Sequence, residues 1–408
     1  MKKRSTQLKE TEIGMIPEVW DVRRIDQLGK VITGKTPPTV DTDNFGGNYP
    51  FVTPRDMKGQ KHVFETERYL SNKGKELLKS SLLPEKSVCV SCIGSDMGKV
   101  VMTVRESITN QQINSVLPAI SPDFVYYSLL NISDKIKNLG KQSTAVPILN
   151  KTQFSEISVA IPSSDDEIKE IIKILSDLDS KIELNQQMNA TLEKIGQALF
   201  KHWFIDFEFP NEEGKPYKSS GGQMVDSELG EIPKGWDVKK NGEVLELAYG
   251  KALKETGRCA GRIPVYGSNG RVGWHNEPLV KGPGIVVGRK GNPGTVIWAQ
   301  DSFYPIDTTF YVVPKSLVRS MYYLFYTLKT QGLPSLSADS AVPGLNRSIV
   351  YMNDIIVPAP KILDTFDAQI RTIFEKIQAD ESQSALLGSI RDSLLPKLMS
   401  GQIRVPAG

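Results

Sequence analysis

Residues 165–204 read DDEIKEIIKILSDLDSKIELNQQMNATLEKIGQALFKHWF, and a stretch with the same spacing of apolar residues returns at 363–401. Apolar residues three and four positions apart share one face of a helix. In the first copy these are Ile168, Ile171, Leu175, Leu178, Ile182, Leu192, Leu199 and Trp203. In the second copy they are Ile370, Ile373, Ile377, Leu387, Leu394 and Leu398. Two helices of roughly 35 residues with a seam near 3.5 residues per turn predict a coiled-coil-like pair.

Both seams are interrupted in register by residues that are not apolar. The interruptions are Asn185, Asn189 and Gly196 in the first copy and Asp380, Ser384 and Arg391 in the second. The two copies also end alike, since IGQALFK at 195–201 aligns with IRDSLLP at 390–396. The pattern therefore favours one duplicated element over two unrelated surface helices.

The segments before the two helices are also copies of each other. Residues 12–22 (EIGMIPEVWDV) and 228–238 (ELGEIPKGWDV) are identical at seven of eleven positions. Gly and Pro fix a turn, and the Trp anchors the following chain on a core. Further on, residues 88–101 correspond to 284–297 as strand, glycine-bounded loop and return strand, and residues 145–151 correspond to 341–347. The shift in offset predicts about 20 extra residues in the first half, around 41–83.

We therefore predict an α+β chain with two tandem globular domains, each mostly β and irregular, separated by two long antiparallel coiled-coil-like helices in a pseudo-two-fold repeat. Short helices are expected at 124–137 and 317–328. Residues 206–227 are dense in Gly, Pro, Ser and charge, which is typical of a linker. The predicted parts are 1–163 (first domain), 164–205 (central helix), 206–227 (linker), 228–361 (second domain) and 362–403 (distal helix).

Composition sets the broad class of protein. The chain has 408 residues, 39% hydrophobic and 24% charged, which fits a soluble protein of several domains. It contains no apolar run of about 18 residues and no apolar signal core after its MKKR start, so we expect a cytoplasmic chain without a membrane partner. The net charge is only +3, but two mildly basic segments flank an acidic central helix. That pattern fits an anionic ligand held by the segments, although solvated faces would also produce it.

Three cysteines are too few for a disulfide framework. Cys89 and Cys92 have CxxC spacing, but they lie in an apolar run without a second Cys or His pair. We interpret them as part of a buried strand and not as metal or redox ligands. The three histidines are scattered and no metal-ligand spacing occurs, so no metal site is predicted.

One motif resembles a phosphate-binding loop. Residues 29–36 (GKVITGKT) match GxxxxGK[ST], which requires a helix that begins at its Lys-Thr. Pro37 and Pro38 oppose such a helix, and the second copy of this motif (Gly250-Lys251-Ala252) lacks the hydroxyl. A methyltransferase would need a glycine-rich cofactor loop and an Asn/Asp-Pro-Pro-aromatic motif, and the sequence contains neither. We therefore predict a non-catalytic chain that binds no cofactor itself.

The candidate binding residues are cations and amides in glycine-rich loops. Arginine can read guanine, Asn can read adenine, and Lys and backbone N–H groups can hold phosphates. The predicted DNA-binding residues are Arg55, Lys58, Lys61, Ser95, Lys99, Asn269, Arg271, Arg289, Lys290 and Asn292. Each loop taken alone could equally be an ordinary exposed turn. Two of the loops, 94–99 and 288–292, occupy equivalent places in the repeat, which favours a shared role.

With its IP-x-x-WD segments, its paired helix ends (LFKHWF and LLPKLMSG) and its loops GSDMGKV and GNPGTV, the chain resembles the specificity (S) subunit of type I restriction-modification systems. The resemblance implies that each domain reads one half of a bipartite double-stranded DNA site and that the helices set the spacing. A helix of 35 residues rises roughly 50 Å, about one and a half turns of B-DNA. Base-reading residues do not transfer from the family, because its loops differ between members.

The resemblance also implies partners. Two modification (M) subunits would dock on the helices and methylate adenine with S-adenosylmethionine, and restriction (R) subunits would add ATP- and Mg-dependent translocation and cleavage. The acidic start of the first helix and the polar seam positions are candidates for this docking. Lys99 aligns with Thr295, so a lysine contact there would not be shared by the two domains. The alternative is a non-catalytic protein-binding scaffold with duplicated heads, whose binding would be insensitive to salt.

Overall fold

The computed structural model describes residues 7–140, 148–337 and 344–405. The chain divides into two compact units: unit 1 is Met1–Asn185 with Gln383–Gly408, and unit 2 is Gln186–Ser382. The opening MKKR and the repeat positions 145–147 and 341–343 lie outside the described residues. None of the described helices is long and apolar enough to cross a membrane.

Unit 1 is built from short strands and five short helices besides the long ones. The strands are β1 (Leu8–Thr11), β2 (Gly14–Pro17), β3 (Asp21–Arg24), β4 (Gly29–Thr33), β5 (Phe45–Val52), β6 (His62–Val63), β7 (Tyr69–Leu70), β8 (Leu82–Leu83), β9 (Val88–Ser91), β10 (Val100–Thr103), β11 (Ser107–Thr109), β12 (Ile113–Pro118) and β13 (Ser158–Ile161). The helices are α1 (Ile25–Leu28), α2 (Asn72–Leu77), α3 (Pro122–Asn131), α4 (Ser133–Gly140) and α5 (Lys151–Ser155). The main sheet has the order β4-β12-β9-β10-β6, and a second sheet has the order β7-β5-β11-β8.

Unit 2 repeats this plan with fewer elements. Its strands are β14 (Met224–Ser227), β15 (Gly230–Pro233), β16 (Asp237–Lys240), β17 (Leu245–Tyr249), β18 (Ile263–Gly267), β19 (Gly270–His275), β20 (Gly284–Gly288), β21 (Val296–Ala299), β22 (Tyr304–Pro305), β23 (Thr309–Pro314) and β24 (Asp354–Val357). Its short helices are α7 (Asn241–Val244), α8 (Met321–Thr330) and α9 (Arg347–Met352). The main sheet has the order β17-β23-β20-β21, and the second has the order β19-β18-β22.

The two main sheets confirm the duplication predicted from sequence, since β4-β12-β9-β10 and β17-β23-β20-β21 are the same arrangement. The strand register refines the alignment by one residue. Val90 of β9 pairs with Asn114 of β12, and Val287 of β20 pairs with Phe310 of β23. The residue numbers of β9 and β20 therefore differ by 197, whereas those of β12 and β23 differ by 196. The loop of unit 2 is therefore one residue shorter. Unit 1 carries β6, α2 and β8, which have no counterpart among the described residues of unit 2.

The long helices are α6 (Asp165–Phe204) and α10 (Pro360–Met399), each of 40 residues, which confirms the amphipathic pattern and extends it beyond 35 residues. In unit 1, Arg391 bonds Asp179 and Gln383 bonds Asn185; in unit 2, Asn189 donates to the carbonyl of Ile377. In unit 2, Gly196 also lies beside Ile370, so in each unit residue numbers rise on one helix as they fall on the other and the pair is antiparallel. Asn185, Asn189 and Arg391 therefore contact the opposite helix, whereas Asp380 pairs with Lys376 of its own helix.

Two details differ from the sequence expectation. The helix predicted over 124–137 is broken at Ile132 into α3 and α4. The helix predicted over 317–328 is α8, which spans Met321–Thr330. The predicted linker 206–227 is packed: Phe207 and Phe209 are buried, and the ring of Phe209 stacks 4.9 Å from that of Trp236. The prediction followed the Gly, Ser and charged residues of this segment and gave too little weight to its two buried phenylalanines.

Candidate nucleic-acid interface

In unit 1, residues 53–60 form a loop that is ordered around one buried carboxylate. Asp56 Oδ2 accepts hydrogen bonds from the backbone N and the Oγ1 of Thr53 at 2.7 and 2.8 Å, and its Oδ1 accepts one from the N of Glu67 at 2.8 Å. The loop leaves Arg55 and Lys58 exposed. Within the described residues, neither of these cations forms an ion pair. Both are therefore available to an anionic ligand on a preformed loop.

The neighbouring hairpin loop joins β9 to β10 and contains Ser95 at its exposed tip. Gly94 and Gly98 adopt φ of +82° and +83°, which glycine tolerates and L side chains rarely adopt. The backbone N of Gly98 donates to the carbonyl of Ser91 at 2.8 Å, which closes the loop. Lys99, at the loop's end, donates to the carbonyl of Pro54 at 3.1 Å and pairs with Asp96 at 2.8 Å. The two predicted loops of unit 1 are thus brought together.

A cleft of about 570 Å³ lies where these loops meet. Arg55, Arg68 and Asp96 line it, together with the amides Asn110 and Gln112. The guanidinium of Arg68 lies 5.0 Å from the ring centre of Phe51, so the sheet beneath supports it. Cations and amides around one polar cleft form a surface that can hydrogen-bond base edges and phosphates.

Unit 2 places four of its predicted residues on two neighbouring loops, one from its main sheet and one from its second sheet. Lys290 and Asn292 are exposed on the β20–β21 loop, and Asn269 and Arg271 are exposed on the β18–β19 turn. Thr295 Oγ1 donates to the carbonyl of Ser268 at 2.7 Å, which brings the loop and the turn together. As in unit 1, one side chain joins two loops.

Three arginines of unit 2 lie over aromatic rings. The guanidinium groups of Arg289 and Arg347 lie 5.0 and 4.7 Å from the ring centre of Tyr249, and that of Arg271 lies 4.6 Å from the ring of Trp274. Tyr249 and Trp274 are each 47% exposed. Half-exposed rings flanked by guanidinium groups offer both a stacking face and positive charge. Unit 2 therefore presents a cationic aromatic surface.

The glycine–lysine motif beside this surface has a packing role in both units. A Cβ on Gly34 would lie 2.2 Å from the carbonyl of Asn110, and one on Gly250 would lie 2.2 Å from the carbonyl of Ile306. No helix begins at Thr36, because residues 34–41 have no helical structure. Glycine is required here for close approach to the adjacent strand, which explains the motif without a nucleotide.

Lys61 does not join the other predicted residues. It is 5% exposed, pairs with Asp123 at 2.6 Å and lies over the ring of Tyr127 at 4.7 Å. Its hydrogen bond to the Tyr127 hydroxyl, 3.2 Å long, completes its surroundings. Lys61 is therefore a buried structural cation, and the prediction that it contacts DNA does not fit its position. The sequence signal, a lysine in a polar loop, does not distinguish an exposed ammonium from a buried one.

The sequence did not indicate a binding role for Tyr249, Trp274, Arg347, Arg68, Asn110 or Gln112. Two signals were present in the repeat: Tyr249 precedes the Gly250-Lys251 motif, and Arg347 aligns with Lys151. Arg68 and Trp274 are single residues outside the compared segments, and only the fold brings them to the sheet edge.

The cysteines and potential metal ligands add no site. Cys89 and Cys92 are buried, which confirms the buried-strand prediction, and burial raises the pKa of Cys89 to about 12 and that of Cys92 to about 11. Across residues 7–140, 148–337 and 344–405, no group of three His, Cys, Asp or Glu side chains is placed to hold a metal ion.

The repeated sheets, the helix pair and the loops at the sheet edges define a duplicated recognition chain. It belongs to the family described as type I restriction modification DNA specificity domain, whose model matches residues 17–194 and 233–383. Both matches begin at the proline of an IP-x-x-WD segment. A chain of this family is a specificity component and not a catalytic one.

Two relatives and one solved structure give the extent of the likeness. The type I restriction enzyme MjaIX specificity subunit of Methanocaldococcus jannaschii is 29% identical over 436 residues, covering 98% of this chain and 97% of that protein. The HindI specificity subunit of Haemophilus influenzae is 37% identical over 163 residues, or 39% of this chain and 34% of that protein. The S subunit structure from M. genitalium matches with a TM-score of 0.55 at 17% identity, covering 97% of this chain and 98% of that one. This last likeness concerns the fold alone.

Proposed function

We propose that this chain is the DNA-specificity subunit of a type I restriction-modification enzyme and that each unit reads one half of a bipartite site in double-stranded DNA. One observation carries the proposal: in both units the hairpin loop of the main sheet lies beside a loop from the second sheet, and both loops expose polar or cationic side chains. In unit 1 the contacts would come from Arg55, Lys58 and Ser95. In unit 2 they would come from Asn269, Arg271, Arg289, Lys290 and Asn292.

The helices α6 and α10 would set the distance between the half-sites and dock two modification subunits. Each helix has 40 residues and therefore spans about 60 Å. Within unit 1, Leu184, Leu386 and Ile390 are exposed on these helices, at 50%, 62% and 39%. Apolar side chains exposed on a packed helix pair support a protein-docking role. The polar seam positions contact the opposite helix or buried side chains, so they are poor candidates for that docking.

The partners supply the chemistry in this proposal. Modification subunits would bring S-adenosylmethionine and methylate adenine, and restriction subunits would bring ATP- and Mg-dependent cleavage. This chain would bind none of these cofactors itself and would act on chromosomal DNA in the cytoplasm.

The test is single-molecule sequencing of adenine methylation in cells that carry the full chain and its modification subunit. The matched comparison replaces residues 1–163 with the first domain of another family member. A bipartite methylated motif in which only one half changes is expected. Methylation without a bipartite motif, or a swap that changes both halves, would refute the division of labour. No motif, with both subunits expressed and folded, would favour a protein-binding scaffold.

A further inference from the structure

In each unit, one side chain ties the hairpin loop to the loop beside it. Lys99 Nζ donates to the carbonyl of Pro54 at 3.1 Å and pairs with Asp96 at 2.8 Å. Thr295 Oγ1 donates to the carbonyl of Ser268 at 2.7 Å and lies 3.1 Å from the carbonyl of Asn292. Each side chain therefore touches its own loop and the neighbouring one.

The strand register makes these two ties equivalent. The backbone N of Ser91 donates to the carbonyl of Lys99, and that of Gly288 donates to the carbonyl of Thr295. On the other side, Val52 pairs with Thr109 and Tyr266 pairs with Pro305 in the parallel strand pairs. Pro54 and Ser268 each lie two residues beyond those pairs. The same two points of the fold are joined in both units.

The tie is shared although its chemistry is not. Lys99 reaches across with a long ammonium side chain, and Thr295 does so with a short hydroxyl. The hydroxyl proton of Thr295 is already donated to the carbonyl of Ser268, so a phosphate would have to displace that bond. The ammonium of Lys99 is already bonded to a carboxylate and a carbonyl, so a phosphate would have to displace them.

Loops that carry base-reading groups discriminate best when they are already ordered before binding, because the entropy cost of ordering them then does not reduce the binding free energy. Beside the tie, Arg55 and Ser95 are exposed in unit 1, and Asn269 and Asn292 are exposed in unit 2. We propose that Lys99 and Thr295 are positioning residues, which fix the relative placement of the two recognition loops in their own unit and so control discrimination at one half-site. This inference rests on the proposed function.

The test uses the full chain with its modification subunits and the variants Thr295→Val and Lys99→Met. Adenine methylation is measured on duplexes that carry the wild-type motif or a single base change in either half. Thr295→Val should lower discrimination about fivefold or more, the lower end of one base contact, in the half read by unit 2 only. Lys99→Met should do the same in the half read by unit 1. Thr295→Ser, which keeps the hydroxyl, should retain wild-type discrimination.

A second measurement needs no DNA. Hydrogen exchange of the free chain should rise at residues 264–275 in Thr295→Val and at residues 53–60 in Lys99→Met. Unchanged exchange in these segments would overturn the tie. A second result would also overturn the proposal: normal discrimination by Thr295→Val together with weaker binding of Lys99→Met to all sequences. In that case the slope of log K against log salt would fall by about one for Lys99→Met, as for a phosphate contact. A wild-type chain that yields no bipartite motif would instead refute the proposed function.

Discussion

The same tryptophan is held by different chemistry in the two units. Trp20 donates from Nε1 to Glu167 at 3.1 Å, and Arg404 pairs with the same carboxylate. Trp236, its copy, packs against the rings of Phe204, Phe207 and Phe209 at 6.0, 5.8 and 4.9 Å. Unit 1 uses a buried carboxylate paired with a partly exposed arginine where unit 2 uses aromatic packing. A duplicated backbone thus does not dictate the interactions that hold it.

The contrast continues along the helices. In unit 1, the polar junction joins Tyr127, Asp179 and Arg391, with contacts of 2.7 Å from the tyrosine and 2.6 Å from the arginine to the carboxylate. In unit 2, the aromatic junction joins Phe200, Tyr326 and Phe366, with the first two rings stacked at 5.4 Å. Burial lowers the pKa of Arg391, but Asp179 and Asp392 outweigh that effect and raise it. The guanidinium therefore stays charged. Since a buried ion pair contributes little net stability but is costly to break, the two junctions should respond differently to substitution.

The largest effect is expected at the polar junction. Arg391→Met would leave the carboxylate of Asp179, whose side chain is 5% exposed, buried without its cation. Unit 1 should lose about 3–5 kcal/mol. Hydrogen exchange of the full chain, read separately for peptides of each unit, would measure this loss. Arg24→Met, which breaks the exposed Arg24–Asp26 pair, is the matched control and should change little.

An apolar replacement sharpens the same comparison. The triple variant Tyr127→Phe, Asp179→Leu and Arg391→Met removes the hydroxyl, the carboxylate and the guanidinium together and makes the junction apolar, while Lys61 keeps its ion pair with Asp123. Its stability should return close to that of the wild type. If the triple variant is as unstable as Arg391→Met, the ion pair contributes stability of its own and the comparison between the junctions fails.

A smaller loss is expected at the aromatic junction. A Cβ on Gly196 would lie 2.2 Å from the hydroxyl of Tyr326 and 3.3 Å from Ile370 Cδ1. Gly196→Ala should therefore destabilise unit 2 by about 1–3 kcal/mol, and adding Tyr326→Phe should recover part of the loss. Gly388 has no atom within 4 Å of its would-be Cβ, so Gly388→Ala should instead stabilise unit 1 by about 1 kcal/mol. A stabilising Gly196→Ala would contradict the close packing.

The cationic aromatic surface distinguishes the units in DNA binding, given the proposed function. Arg347→Met should weaken binding to all sequences and reduce the slope of log K against log salt by about one. Lys151→Met, at the equivalent place in unit 1, is the matched control. Unit 1 has Thr33 at the position of Tyr249, so Lys151 does not have this ring beneath it. The loss of DNA affinity should therefore be smaller for Lys151→Met than for Arg347→Met. Equal slopes for wild type and Arg347→Met would exclude a phosphate contact at Arg347.

The smallest perturbation is a chemical label. Iodoacetamide at pH 8 should modify the exposed Cys259 of unit 2 first, because burial raises the pKa of Cys89 and Cys92 and keeps both as thiols. The raised values also make unit 1 less stable as the pH rises above about 9 toward 12, where unfolded thiols ionise and folded ones do not. Mass spectrometry of the labelled peptides gives the order. Early modification of Cys89 would show that the β9 strand opens readily.

The sequence was informative where a pattern has a period or a copy. Helical spacing located α6 and α10, and the IP-x-x-WD copies located the start of each repeat. The polar seam positions could be seen but not explained, because Arg391 finds Asp179, 212 residues away in the chain, only in the folded state. Lys61 illustrates the same limit at the candidate site, since burial depends on long-range packing. Cations on loops can be found from sequence, whereas their accessibility cannot.

The order of synthesis follows from the division of the chain. Unit 2 is one continuous stretch, Gln186–Ser382, whereas unit 1 needs Gln383–Gly408 to be complete. Leu395, Leu398 and Met399 belong to the core of unit 1, yet a ribosome adds them only after all of unit 2. Unit 1 therefore begins before unit 2 and is completed after it, and a chain that stops near residue 382 would have a complete unit 2 and an incomplete unit 1.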